Sequence, residues 1–532
     1  MDMKKTIKYI SIATFAAVLL SSCIKETFPM SSTATDEQIS SSNSALEAAV
    51  AGIPAQMSQG YLVYGSQTYE NDMAYPLYMI TFAEMTGEMY AVGNAGYDHY
   101  QNASTCRYYN PENGRQVYVP WRTLYMFVKS ANDIINVVDE STATETQKEF
   151  LGQAYVYRAF DYFMLASMYE PVENKYTDVS EVLGLTVPIV TEATTEADGK
   201  NNPRATHDEI VEFILSDLDK AQSLLATASV SSTLTPSLAV AYGVRAKVLM
   251  FDEQYAEAEK YARLAITTSG ATPLTQSEWE DPTTGFNTAN HAWLWHVSYA
   301  AENMGNLCNF TGWMASESNW GYASLTVPGI DKALYDYIPD TDFRKHSFLD
   351  PAKTDYYNYQ TVRDAEWIAE APDYTSIKFR CAGGEYNDYS VGGAVDVPIM
   401  RVEEMYYIEA EAKAHQNLQE GVNAMNEFVQ TYRDKSYNFS CSSFDEFAQE
   451  YVKQKKVEFW GEGISYYDIK RLKTGVDQAY EGTNAPGTSF QHTWYGIKPN
   501  MNFCILQQKF RTTLELKSTI LTLPTFMTNV LL

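Results

Sequence analysis

The chain predicts a mainly α fold, built of antiparallel helix pairs that are interrupted by long irregular loop insertions and few short strands. Three observations predict it. Apolar residues recur at the 3.6-residue period over several long segments. Helix-start signals, above all a capping box, stand directly ahead of such segments. The stretches between them are rich in Gly, Asn, Thr and aromatic residues and read as loops, short helices and small sheets.

The amino terminus comes first. Lys4, Lys5 and Lys8 precede the apolar run 9–20, which is too short to cross a bilayer as a helix, since that needs about 20 residues. Residues 1–22 therefore read as a secretory signal peptide. Leu20, Ser21 and Ser22 lead into Cys23, and this ending resembles a bacterial lipobox. Cys23 is the expected lipid anchor, with more than one acyl chain giving a stable hold. Ile24, Lys25 and Glu26 look like part of a surface-export signal. Residues 23–45 are rich in Ser, Thr and acidic side chains, and the anchor and its tether are assigned to them.

One large domain is expected over residues 46–500, with helices concentrated at about 121–270 and 400–475. Residues 121–138 repeat Leu124, Phe127, Val128, Ala131, Ile134 and Ile135 at helical spacing. Residues 145–169 are apolar almost all round, as in a helix buried on several sides. Thr206 and Glu209 form a capping box, and Ile210, Ile214, Leu218, Ala221 and Leu225 line one face of the helix it opens. Thr235 followed by Pro236 reads as an N-cap and first-turn proline. The two helices that follow split near Glu253. Their Tyr242, Ala246, Leu249, Tyr255, Ala258, Ala262 and Ala265 resemble a tetratricopeptide unit, in which small residues let two helices approach closely. A weaker copy covers 405–430, with Tyr407, Ala410, Ala412, Gly421 and Met425. The copies lie far apart, so a simple solenoid is not expected. Between them, residues 291–298 read as a short strand.

Composition narrows the function. A formal charge of −28 over 532 residues argues against nucleic acid and anionic membrane surfaces as partners. With 40 Tyr and 9 Trp in so polar a chain, some aromatic rings are expected on a binding face. Beyond Cys23 the cysteines are scattered, with no C-x-x-C pair, and the histidines lack metal-ligand spacing. No nucleophile elbow or phosphate loop is present. Neither a cofactor nor a metal is expected.

Four segments in order resemble the SusD/RagB family: QAYVYRAFDYFMLASMY at 153–169, PRATHDEI at 203–210 running into DLDKA at 217–221, VPIMRVEEMYYIEAEA at 397–412, and KVEFWGEGISYYDIKRL at 456–472. The resemblance spans roughly residues 20–500. It implies a tetratricopeptide-like helical scaffold and a lipid-anchored position on the outer membrane, facing the cell surface of a Gram-negative, Bacteroidetes-like bacterium. It also implies a SusC-like TonB-dependent transporter as partner, over which the lipoprotein traps ligand. The tail, 501–532, departs from the family by lacking its proline-rich and Asn-rich close, and a reading-frame shift near the end of the gene is one explanation.

The charged residues of these motifs raise the question of an enzyme. Glu403, Glu404, Glu409 and Glu411 crowd one segment, and Glu458, Glu462, Asp468 and Arg471 another. A glycosidase needs two carboxylates facing each other across a cleft. These are expected to be ion pairs and helix caps, so no catalytic residue is assigned. For binding, sugar rings present flat C–H faces that stack on aromatic side chains. Two groups of loop aromatics are the candidates: Tyr90, Tyr97 and Tyr100, and Trp313, Trp320 and Tyr322. The expected role is capture of an oligosaccharide or polysaccharide for import, with the candidate rings exposed. Peptide capture as in RagB-like members, or a scaffold for protein partners, are the alternatives.

Overall fold

The computed structural model describes residues 36–40, 42–63, 67–92, 100–106, 115–230, 232–301, 310–353 and 360–505. Residues 1–22, Cys23, Tyr97 and the tail from 506 onward lie outside the described residues. Helix appears earlier than the expected tether end at Ala45. A short turn at Asp36–Ser40 buries Ile39, and α1 (Asn43–Met57) follows, capped by the Ser42 side chain.

The long helices are α2 (Ala74–Thr86), α3 (Arg115–Val137), α4 (Glu145–Tyr169), α5 (His207–Leu225), α6 (Leu238–Phe251), α7 (Tyr255–Ser269), α8 (Val402–Gln416), α9 (Leu418–Tyr432), α10 (Phe444–Glu458) and α11 (Ser465–Leu472). From α3 to α11 each packs on the next, so the array is continuous in space although α7 and α8 are far apart in sequence. Small residues set the spacing. Ala246 on α6 and Ala258, Ala262 and Ala265 on α7 are fully buried. A Cβ on Gly421 of α9 would stand 2.6 Å from the Ala414 backbone nitrogen on α8, so only glycine allows that approach. The two sequence-distant tetratricopeptide-like units thus stack into one scaffold.

Local chemistry explains the helix starts. Thr144 with Gln147, and Thr206 with Glu209, form reciprocal capping boxes that open α4 and α5. The expected start of α6 is corrected. Its N-cap is Ser237, whose side chain accepts from Val240 N, so Pro236 lies before the helix. Thr235 is occupied elsewhere, since its hydroxyl accepts from Gln153 Nε2 at 3.3 Å. α4 buries its whole circumference after its first turn and a half, because α3, α5 and α6 surround it.

The insertion between α7 and α8 carries short helices and small sheets. Strand β1 (Trp293–Ser298) pairs antiparallel with β2 (Asp396–Arg401), from Trp293 opposite Arg401 to Ser298 opposite Asp396. This pairing ties the two ends of the insertion together at the edge of the array. A second pair joins Met89–Ala91, after α2, to Pro328–Ile330. At the C-terminal end the packed chain runs past residue 500. Met501, Phe503, Cys504 and Ile505 are buried, and Phe503 N donates to Met168 O at the end of α4 (3.1 Å). No helix among the described residues is long and apolar enough to cross a membrane.

Candidate functional site

Two glycines bring three of the aromatic candidates from the sequence together. Gly321 has φ +77°, a left-handed value, and a Cβ there would lie 2.7 Å from the Cα and O of Gly312. This close backbone approach lays Trp313, in the short helix Phe310–Met314, face to face with Tyr322, with centroids 4.3 Å apart and planes at 16°. Tyr100 stands edge-on to Trp313 at 5.1 Å. Tyr100, Trp313 and Tyr322 therefore form one cluster.

Trp320 is separate. It packs with Ala315 and Cys381, and Tyr386 and Tyr389 lie against it. Tyr90 belongs to a third group, with Ala485 and Phe490, and its hydroxyl accepts from Gln478 Nε2 at 3.2 Å. The expectation that these rings are exposed is corrected. Tyr90 is fully buried, Tyr100, Trp313 and Trp320 are 7%, 5% and 8% exposed, and Tyr322 is half-buried. Large rings in irregular segments gain more from contact with the scaffold than from water, and the close Gly312–Gly321 crossing makes room for them. Residues that were not singled out in the sequence stand at the surface instead. Tyr389 is 38% exposed, and Tyr386 and Trp367, both in contact with Arg363, are half-buried like Arg363 itself. Their only signal in the sequence is two tyrosines three apart after Gly383 and Gly384.

The carboxylates of the motifs are spent on the scaffold. Glu458 receives Arg344, Arg401 and Arg433 at 2.7–3.2 Å, and all four side chains are buried. Burial pushes the Glu458 carboxyl up, but Arg433, Arg401 and Arg344 outweigh it and hold it well below the usual carboxylate range. Glu462 pairs with Arg401 and Lys378, Glu403 with Arg401 and Arg433, Glu404 with Lys247, Glu409 with Lys413, and Glu411 with Arg471. The glutamates of α8 thus point to different partners instead of converging on a substrate. A cleft of about 360 Å³ opens between α4, α6, α8 and α11, and much of its charged lining is likewise paired: Lys247 with Glu404, Arg471 with Glu411, and Lys455 with Asp468. Among the described residues no three His, Cys, Asp or Glu side chains are grouped to hold a metal ion.

The chain is similar to known proteins over most of its length. Residues 37–250 match a SusD-like family described as starch-binding and associating with the outer membrane, and residues 314–516 match the SusD family. The SusD-like protein P38 of Formosa agariphila is 30% identical over 174 residues, which is 32% of this chain and 30% of the length of P38. A SusD-like carbohydrate binding protein from Bacteroides vulgatus superimposes with a TM-score of 0.71 at 20% identity, covering 89% of this chain and 97% of the other. A laminarin binding SusD-like protein superimposes with a TM-score of 0.62 at 18% identity, over 90% and 98% of the two chains. At these identities the structural likeness is one of fold.

Proposed function

The chain belongs to the SusD/RagB family, and from that premise we propose that it captures an oligosaccharide or polysaccharide at the cell surface without cleaving it. The observation that carries this reading is the likeness in fold, over nine-tenths of both chains, to a protein described as laminarin-binding. The exposed ring of Tyr389, standing against Trp320, supports it, because ring faces and edges are the chemistry that meets sugar C–H surfaces. The pairing of the motif carboxylates within the scaffold supports binding over hydrolysis, since a glycosidase needs two carboxylates free to face the scissile bond.

In this reading Cys23 carries the acyl chains that hold the protein to the outer membrane, and a SusC-like TonB-dependent transporter receives the glycan. The test is a glycan array and a peptide array probed side by side with the soluble form that begins after Cys23. Binding to glycans is expected. Binding to peptides alone would overturn the proposal in favour of a RagB-like peptide role. For the anchor, Cys23→Ala is expected to release the protein from membranes, and a variant that still sediments with them after a high-salt wash would refute the lipobox.

A further inference from the structure

Three irregular segments meet above Trp320. Asn319 N donates to Tyr386 O at 3.0 Å, and Asn319 Nδ2 donates to Asn387 Oδ1 at 2.5 Å. These two bonds lay the 385–391 segment along 315–320. Gly392 closes its far end, where any Cβ would collide with the Glu385 carbonyl. The result is that Tyr386 packs against the cluster of Ala315, Trp320 and Cys381, while Tyr389 stands at 65° to Trp320 and 38% exposed. From the third segment, Arg363 holds its guanidinium 4.6 Å from the centre of the Tyr386 ring and 5.2 Å from that of Trp367. One of its N–H groups goes to Glu317 O at 2.6 Å. No acceptor among the described residues takes the others.

A second unsatisfied donor lies beneath. The Trp320 indole N–H has no acceptor among the described residues, although the residue is only 8% exposed. Buried donors are normally paired, and one that is not points to a missing partner. The surroundings supply acceptors and negative charge. Asp364, Glu366 and Asp388 are exposed and Glu385 half-buried. The Glu385 carboxylate already accepts from Asn387 N and Asp388 N through one oxygen, which leaves the other available.

We propose that Arg363 and Tyr389, positioned by Tyr386 and Trp320, form the ligand-contacting surface of this protein, and that it takes an uncharged pyranose glycan. The inference rests on the glycan-binding reading above and moves the contact from the buried Tyr100–Trp313–Tyr322 cluster to this face. Each group has a part. Tyr389 offers an exposed ring for a sugar C–H face. Arg363, held against two rings, keeps N–H groups for ring and hydroxyl oxygens at small entropic cost. The nearby carboxylates accept from sugar hydroxyls and repel uronate or sulfate groups, which excludes acidic glycans.

The experiment titrates the protein beginning after Cys23 with laminarin and starch as neutral probes and with polygalacturonate and alginate as anionic ones. The variants are Tyr389→Ala, Arg363→Ala and, as a second and milder change at that position, Arg363→Gln. Tyr495→Ala, at another exposed tyrosine, is the control. Binding to a neutral probe is expected. Tyr389→Ala and both Arg363 variants are expected to weaken it at least tenfold with melting within a few degrees of wild type, and the control to bind normally. Neutral-glycan binding that changes less than twofold in all three variants overturns the inference and leaves the glycan reading standing. Preference for the anionic probes overturns the assigned ligand class. Absence of binding to every glycan, with peptide binding present, overturns both.

Discussion

Asp161 lies in the middle of α4 with 2% of its surface exposed, and no cation pairs with it among the described residues. Its Oδ2 has no hydrogen-bond partner, and burial pushes its carboxyl well above the ordinary value. The folded protein therefore holds this proton at pH values where the unfolded chain has released it. Stability from the site is complete below about pH 4, the unfolded value, and declines as pH rises toward the folded one. Asp161→Asn keeps the shape and removes the ionisation. It is expected to gain about 1–3 kcal/mol on wild type at pH 7.5 and much less at pH 4.5, read by urea unfolding at both. A gap that does not change with pH would show that the carboxyl is not shifted. Trp313 and Trp320, at 5% and 8% exposure, give the converse case. Substituting either by alanine is expected to cost about 3–5 kcal/mol of stability. Thermal melting checks this, and glycan affinity in such variants has meaning only per folded molecule. From the sequence these two rings are attractive contact residues because residue type and loop position are legible there. Which way a loop ring turns is not, for that depends on the Gly312–Gly321 crossing.

His207 joins three helices at one end of the array. It opens α5, and its ring nitrogens meet Glu170 beyond α4 at 3.0 Å and Asp252 beyond α6 at 3.2 Å. The hydrogen bond to Glu170, helped by Asp252, raises its pKa to about 9. A raised histidine contributes in full below its unfolded value of about 6.5 and loses the contribution as pH rises through the folded one. The melting temperature is therefore expected to fall between pH 6.5 and 9.5, and this fall should be shallower in His207→Gln. Identical slopes would mean the joint carries no net stability. At the α8–α9 pair, Gly421→Ala is expected to lower the melting temperature. Its Cβ would press on the Ala414 backbone, which cannot swing aside, and that outweighs the helix-propensity gain of about 1 kcal/mol. An unchanged or higher melting point would refute the close packing. The elements themselves are well legible. The 3.6-residue period and the Thr206–Glu209 box mark α5 in sequence as in structure, and α4 covers Glu145–Tyr169 as read. The start of α6 is less legible, because Thr235, Pro236 and Ser237 all carry start signals and only the Thr235 contact with Gln153 decides among them. The β1–β2 pairing is not legible at all, for neither strand shows where its distant partner lies.

At the scale of the whole molecule, the family motifs turn out to be the places where the array is bolted together. Arg401 and Glu458 lie in different motifs and meet in the buried cluster that joins β2 to α10. Lys470 reaches from α11 to cap the carbonyls of Ser167, Met168 and Glu170 at the end of α4, at 2.7–3.1 Å. The motifs therefore report the scaffold, and the proposed ligand face lies in segments without them, which is why the fold is easier to read than the site. The C-terminal end closes the assembly beside this Lys470 cap. A chain ending at Lys498 removes Met501, Phe503, Cys504 and Ile505 from the core. It is expected to melt markedly lower than the full chain or to be recovered only as aggregate. Melting equal to the full chain would show that this end adds nothing.

The insertion leaves the array at the end of α7 and returns at the start of α8, and those two helices pack on each other. Its entrance and exit are thus neighbours whatever the intervening length, and β1 with β2 fastens them at the root. Lengthening a loop whose ends are already held together costs little, about 0.6 kcal/mol for each doubling. The turns that carry Arg363 and Tyr389, on either side of the buried Lys378, can accordingly be rewritten or extended as cassettes. Evolution, or a protein engineer, can draft a new specificity there while every helix-to-helix seam keeps its original fit.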